Sequence, residues 1–378
     1  MHIVKTDERS LKLRQLEKML FESGNGKQAE KSAGSLYIWG CSETARMITE
    51  FCSNNSRLEI TAYIVDDVYY KERVFLNKPV LKASEWRKNA GAGDCVIFGF
   101  TGLKRAEELA KNLPDPNRGF YFSFPYSANV DGTYLTYDDY CKEKLRFERA
   151  YECLADEISR KVMEAFINGC ISREIGELEK LRSDGQYFNE LTEHMKKGCF
   201  VDLGAYTGDT IEKAADFYGE NLERIVALEP DENNIKQLEE RVKSCGIPPE
   251  KLLLVQKGSW SGKDVLHFSS SNSSSSISDA GDIVIEVDSV DHVLKECEFP
   301  VSFIKMDVEG SEGESLLGAA DTIRKWHPIL AICVYHKPDD LYLLTGQIRE
   351  LLKEAEYRFY LRYYGPDLRE LVFYAIPQ

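Results

Sequence analysis

The apolar run Phe200-Val201-Asp202-Leu203 leads into Gly204-Ala205-Tyr206-Thr207-Gly208 and then a helical stretch that opens with Asp209. An open α/β sheet takes its ligands at such a strand-to-helix turn. A dinucleotide site needs glycines spaced G-x-G-x-x-G so that backbone can approach a pyrophosphate, yet here they stand as G-x-x-x-G, with Tyr206 at the third position. Asp202 and Asp209 flank the turn, and two carboxylates repel phosphate while attracting positive charge. A ligand with an ammonium and a sulfonium and no phosphate, S-adenosylmethionine, suits the loop, so Gly204, Ala205, Tyr206 and Gly208 are expected to line it.

About twenty residues further on, Ile225-Val226-Ala227-Leu228 ends in Glu229, where a carboxylate grips a nucleotide ribose through two hydroxyl hydrogen bonds. Pro230 follows, and Asp231 is expected to cap the next helix. The third strand ends Gln256-Lys257-Gly258-Ser259-Trp260, which places Gly258 beside an adenine, with Trp260 either there or in the core.

A fourth strand carries Ile304-Lys305-Met306-Asp307-Val308-Glu309-Gly310-Ser311-Glu312. Strand alternation sends Lys305, Asp307 and Glu309 to one side, and Ser311-Glu312-Gly313-Glu314 has capping-box spacing for the helix that follows. Paired carboxylates at a sheet edge are costly without a use, so Asp307 and Glu309 are candidate catalytic groups. The fifth strand brings His336 to the same edge. It is either a general base for a hydroxyl or a hydrogen-bonded strand-end histidine. Asp307, Glu309 and His336 also have the composition of a two-carboxylate, one-histidine metal site. No H-x-x-x-H or E-x-x-H spacing accompanies them, and no metal is assigned.

These residues need a scaffold that aligns several strand ends. The 378 residues, 43% hydrophobic and 29% charged, suit two soluble domains, and no apolar run reaches the ~18 residues of a membrane span. The charged N-terminus is not a signal peptide, which points to the cytoplasm. A net charge of -15 argues against nucleic-acid partners. The ten cysteines, with no C-x-x-C, read as reduced packing residues. Residues 1–33 read as a lead-in helix and loop with a break at Gly24-Asn25-Gly26-Lys27. Residues 34–126 alternate strands and helices as a small Rossmann-like domain, with strands at 36–39, 60–65, 95–98 and 120–124. Residues 127–184 form a helical connector whose apolar positions include Leu145, Ala150, Leu154, Ile158, Val162, Ala165 and Phe166. Residues 185–378 form a doubly wound α/β domain, mostly parallel, closed by an antiparallel pair at 358–363 and 371–375. Within it, Ser269 to Ser276 reads as a mobile loop.

The segments around Asp202, Glu229, Ile304 to Glu312 and Val334-Tyr335-His336-Lys337-Pro338-Asp339-Asp340-Leu341 together resemble FkbM-family methyltransferases over residues 185 to 378. The resemblance implies a class I methyltransferase fold and methyl transfer from S-adenosylmethionine to a small-molecule or glycan hydroxyl. Tyr206 stands where many members have Asn. The N-terminal domain is similar to nucleotide-binding units of sugar-modifying enzymes, but Gly40-Cys41-Ser42-Glu43-Thr44-Ala45 has Ser42 in place of the central glycine. It is expected to present substrate or to form a homodimer. Two alternatives stand beside the methyltransferase: an NAD-dependent sugar-nucleotide oxidoreductase using the N-terminal domain, and a non-catalytic cofactor-binding scaffold.

Overall fold

In the computed structural model the described residues are 1–3, 11–21, 34–71, 74–124, 135–195, 197–271, 274–277, 283–295 and 299–378, so the break expected at Gly24 to Lys27 lies outside them. Three sheets form among them.

The first is six-stranded, in the order β3-β4-β2-β1-β5-β6. Its strands are β1 (Leu36–Trp39), β2 (Ala62–Val65), β3 (Val74–Phe75), β4 (Lys78–Lys82), β5 (Cys95–Phe98) and β6 (Gly119–Tyr121). All pairs are parallel except β3 with β4. Helices α1 (Leu11–Phe21) and α2 (Glu43–Asn55) cover one face, packing Leu13, Leu16, Ile48 and Phe51 on Ile38, Tyr63 and Ile97. Helices α3 (Ala83–Asn89) and α4 (Leu103–Ala110) follow β4 and β5, and their Trp86 and Ala106 belong to the core of the other face with Trp39, Val96 and Phe98. The short β3–β4 hairpin was not foreseen. Lys78, Pro79 and Lys82 mask the apolar pattern of β4, and the edge strand β3 is only two residues long.

The connector is helical as expected: α5 (Tyr137–Lys142), α6 (Lys144–Glu152), α7 (Glu157–Ser172) and α8 (Gly176–Glu179). Phe147, Ala150, Leu154, Val162, Phe166 and Ile167 are buried, whereas Leu145 and Ile158, expected on the same stripe, face solvent. The connector breaks into separate helices at Glu143 and at residues 153–156, which resets the helical phase and turns those two side chains outward.

The third sheet has the order β16-β17-β15-β14-β7-β8-β9. Its chain runs β7 (Gly198–Leu203), α9 (Asp209–Tyr218), β8 (Leu222–Leu228), α10 (Glu232–Ser244) and β9 (Leu252–Val255). After an excursion come α11 (Val290–Val293), β14 (Val301–Met306), α12 (Glu312–Gly318), α13 (Ala320–Trp326) and β15 (Ile329–Cys333). The chain closes with α14 (Asp340–Leu351), β16 (Tyr357–Tyr363) and β17 (Leu371–Pro377), the last antiparallel to both neighbours. Strands β7, β14 and β15 are buried along their whole length, as parallel strands covered on both faces must be. The excursion is a second sheet, ordered β10-β13-β11-β12, from β10 (Gly258–Ser259), β11 (Asp264–Ser271), β12 (Ser274–Ile277) and β13 (Ile283–Asp288). The described part of the serine run is therefore strand and not loop: Ser269, Ser270 and Ser271 pair antiparallel with Ser276, Ser275 and Ser274. Composition suggested mobility, but the β11–β13 ladder, which ends at Phe268 and Ile283, leads β11 straight into pairing with β12.

The carboxyl edges of the two large sheets meet. Tyr121, the last residue of β6, donates its hydroxyl to the Asp367 carboxylate and accepts the Gly102 amide at 2.9 Å. Asp367 lies in the turn from β16 to β17, which sits at the carboxyl edge because Val334 donates to the Leu371 carbonyl at 3.0 Å. No helix among the described residues is long and apolar enough to cross a membrane. Cys52, Cys95, Cys170, Cys199 and Cys333 are buried thiols outside any disulfide, and Cys141 is an exposed one.

Candidate functional site

Strand β7 leads into a turn in which Gly204 (φ 75°) and Gly208 (φ 81°) adopt left-handed backbone, joined by the non-glycine Tyr206 (φ 46°). A Cβ on Gly204 would stand 1.9 Å from the Asp307 carbonyl oxygen, so only glycine lets the turn pass under the end of β14. The Gly204 and Ala205 amides both donate to Leu228 O, at 3.0 and 3.1 Å, and Gly208 begins α9. Ala205 is buried, and Tyr206 turns its ring out to solvent. Asp209, in the first turn of α9, pairs with Lys213 at 3.6 Å.

Glu229 stands one residue past β8, next to Pro230. Its Oε2 accepts the Tyr206 amide at 2.9 Å, and its Oε1 accepts the Asp231 amide at 3.0 Å and Asn234 Nδ2 at 3.1 Å. A carboxylate has about four acceptor positions. One therefore remains, on Oε2, where two were expected for a ribose: the carboxylate also splints the glycine turn to the next helix. Asp231 caps α10 as expected, accepting the Asn233 and Asn234 amides at 2.8 and 2.9 Å. Gly258 lies in β10, paired with Val287, and the Trp260 amide donates to Asp288 O at 2.9 Å.

Asp202 is wholly buried and 3.0 Å from Lys305 Nζ, which also donates to the Leu203 and Gly204 carbonyls at 3.3 and 2.6 Å. Burial pushes the Asp202 carboxyl up to about 6 against the opposing pull of Lys305. Burial would lower the lysine, but Asp202 and then Asp307 more than offset it and raise its pKa. At neutral pH the pair is ionised. Oδ2 of Asp202 has no hydrogen-bond partner.

Asp307, Glu309 and His336 do converge. His336 is buried, with Nε2 at 3.3 Å from Asp307 Oδ1 and 3.7 Å from Glu309 Oε2. Glu309 is exposed and held at φ 56°, a left-handed conformation costly for a residue with a Cβ and of the kind found at functional sites. The hydroxyls of Tyr187 and Tyr335 reach Asp307 Oδ2 and Oδ1 at 3.4 and 3.5 Å. Burial would raise the Asp307 carboxyl, but the His336 hydrogen bond and the Lys305 charge hold it well below its usual range. Burial would also lower the imidazole, yet Glu312 and then Asp307 outweigh it, so His336 is held well above its ordinary value.

The capping box expected from Ser311 and Glu314 does not form. The Ser311 hydroxyl instead donates to Val308 O at 2.9 Å, and Glu312 Oε1 takes the Val308 amide at 2.9 Å and faces His336 Nδ1 at 2.9 Å. Oxygen and nitrogen atoms of Asp307, Glu312 and His336 lie within 4.8 Å of one another, a grouping that could also hold a cation. In this arrangement the imidazole stands between the two carboxylates and supplies the positive charge. Sequence reasoning missed Tyr187 and Glu370, which tertiary packing alone brings near Asp307 and His336, and gave no role to Asp340, four residues beyond His336. Glu312 belongs to the Lys305-to-Glu312 string that carries the family resemblance, with helix capping as the alternative, and sequence alone gave it no role at the histidine.

Residues 202–359, which span the glycine turn, Glu229, the Asp307 segment and His336, match the model of the methyltransferase FkbM domain. This segment is a methyltransferase FkbM domain. The chain is accordingly an S-adenosylmethionine-dependent methyltransferase, as its sequence resemblance implied. The whole fold is similar to the crystal structure of Methyltransferase FkbM from Methylobacillus flagellatus KT, with 20% identity, a TM-score of 0.69 and coverage of 91% of this chain and 90% of that one. The shared fold thus reaches beyond the FkbM domain into the N-terminal sheet. An rRNA methylase from Streptococcus thermophilus (12% identity, TM-score 0.33, 50% of this chain and 93% of that one) and the O-methyltransferase TomG from Streptomyces achromogenes (10%, 0.34, 62% and 96%) match at scores too low to bear on function. No curated protein matches the sequence.

Proposed function

We propose that the FkbM domain methylates a hydroxyl of a sugar or related small metabolite. The observation that carries this is the convergence of Asp307, Glu309 and His336 at the carboxyl edge, directly beyond the Gly204 turn. The residues fit S-adenosylmethionine. Asp202 offers a buried oxygen without a partner, and Glu229 keeps one acceptor position for a ribose hydroxyl. Gly204, Ala205, Tyr206, Gly208 and Asp209 would line the cofactor, with Glu229 and Pro230 at its ribose, Gly258 near its base, and Asp202 and Asp307 supplying negative charge. The bound cofactor supplies an electrophilic methyl group.

The protein's own task is to orient the hydroxyl in line and to accept its proton. The raised pKa of His336 favours the imidazolium, and Asp307 is held well below its usual range, so of the three Glu309 is left to take the proton while the imidazole holds both carboxylates in place. The N-terminal sheet joins the carboxyl edge of the FkbM domain through the buried Tyr121–Asp367 hydrogen bond, a placement that fits a substrate-presenting role. Its own turn is occupied by the chain: Ser42 Oγ donates to Gly99 O at 2.8 Å and Glu43 pairs with Arg46, an arrangement that disfavours NAD phosphates.

Calorimetric titration with S-adenosylhomocysteine, with NAD as comparator, tests the assignment. Binding of the first, lost in Glu229→Ala and Asp202→Ala, is expected. Binding of NAD alone would move the chemistry to the N-terminal sheet.

A further inference from the structure

We propose that Glu312 is a positioning residue: it anchors His336 through Nδ1 and thereby fixes Nε2 toward Asp307 and Glu309 at the reacting edge. Glu312 is fully buried, one of its oxygens spans the Val308 amide and the imidazole, each at 2.9 Å, and its other oxygen has no hydrogen-bond partner. A helix start needs no such arrangement. A buried carboxylate with one oxygen bare is expensive unless a cation stands against the other. The only cationic group that Glu312 pairs with among the described residues is His336. The amide that Glu312 accepts belongs to Val308, between Asp307 and Glu309, so one carboxylate ties together the backbone of the acidic segment and the histidine facing it.

The charges around His336 come from every side of the site. Asp307 and Glu309 follow β14, Glu312 opens α12, Asp340 opens α14, and Glu370 lies just before β17. Lys305 and Lys337 are the cations of the same region. Asp340 lies next to Glu312, and burial together with the Glu312 charge pushes it up to about 7. Its carboxyl is engaged by the Lys337 amide at 2.7 Å, which leaves Glu312 as the buried partner that touches the ring. The role is the one a carboxylate plays behind a catalytic histidine, setting the tautomer and stabilising the charged ring without touching substrate.

Because the role takes its meaning from methyl transfer at this edge, the test reads His336 itself. The full chain labelled with 15N-histidine is titrated by NMR, with the His336 ring signals identified by their loss in His336→Gln. Wild-type His336 is expected to remain an imidazolium through neutral pH. Its midpoint should fall by roughly a unit or more in Glu312→Gln, toward the ordinary value of about 6.5, and should recover part of that shift in Glu312→Asp. An unchanged midpoint in Glu312→Gln, or a wild-type ring that is neutral at pH 7, overturns the proposal. If Glu312→Gln does not fold, Glu312→Asp decides alone: the same midpoint as wild type sinks the idea. Failure of S-adenosylhomocysteine to bind wild-type protein would instead count against the methyltransferase site and leave the titration readable.

Discussion

Asp202 on β7 and Lys305 on β14 form an ion pair 3.0 Å apart, sealed between two strands that are buried from end to end. Removing one partner strands the other. Lys305→Met is expected to cost about 3–5 kcal/mol of stability, because it leaves a buried carboxylate uncompensated, whereas the double variant Lys305→Met with Asp202→Leu should cost clearly less than the sum. Urea unfolding of the two single variants and the double variant measures the coupling. Strict additivity would mean that the pair contributes nothing.

His336 and Asp307 predict opposite pH limits. The imidazole pKa is raised on folding, so its contribution to stability is complete below about 6.5 and is lost as pH rises through the folded value. The Asp307 carboxyl is depressed, so its contribution is complete above about 4 and is lost as pH falls toward the folded value. The thermal midpoint of wild type should therefore decline on the alkaline side, and that decline should flatten in His336→Gln. Equal alkaline slopes in the two proteins would contradict the assignment.

Gly204→Ala should abolish S-adenosylhomocysteine binding and destabilise the fold. The new methyl meets the Asp307 carbonyl at 1.9 Å on backbone already at φ 75°, and backbone cannot yield as a side chain can. Calorimetry and a thermal melt report the two effects. Gly219→Ala, with no atom within 4 Å of its added Cβ but φ 56°, is the control for backbone strain alone. Similar loss in both variants would mean that the contact under β14 is not the cause.

Glu229→Gln separates splint from ligand. Glutamine keeps one acceptor oxygen but places an amide where Oε2 or Oε1 now receives a backbone N–H. We expect a modest loss of stability, about 1–3 kcal/mol, with a much larger loss of S-adenosylhomocysteine affinity. Stability falling while affinity stays intact would confine Glu229 to holding the turn.

The order of strands and helices in the FkbM domain was legible because each parallel strand is a short apolar run followed by a helical pattern, and the closing antiparallel pair is marked by Gly365-Pro366-Asp367. The convergence of Asp307, Glu309 and His336 was legible for a related reason: adjacent parallel strands deliver their carboxyl ends to one edge, and β14 pairs with β15. What stayed hidden depends on contacts between distant segments. Nothing local in Ser269 to Ser271 or Ser274 to Ser276 announces a strand, since these serines pair with one another at the end of a ladder that stops at Phe268. Nothing in Glu312 distinguishes a helix-start residue from the partner of a histidine 24 positions further along the chain, because only the packing of α12 against the end of β15 brings the two together. Likewise Tyr187 gives no signal until the chain folds its hydroxyl onto Asp307.

The apolar core has a practical consequence for anyone dissecting the chain. One continuous cluster runs from Trp39, Phe98 and Tyr121 in the first sheet, through Phe147 and Phe166 of the connector, to Phe200 and Phe303 beneath the site. A fragment beginning near residue 185 would carry every residue assigned to cofactor and proton, yet it would expose the face of that cluster which the connector normally covers. Such bare apolar surface drives self-association, so the excised catalytic half should be an aggregating fragment.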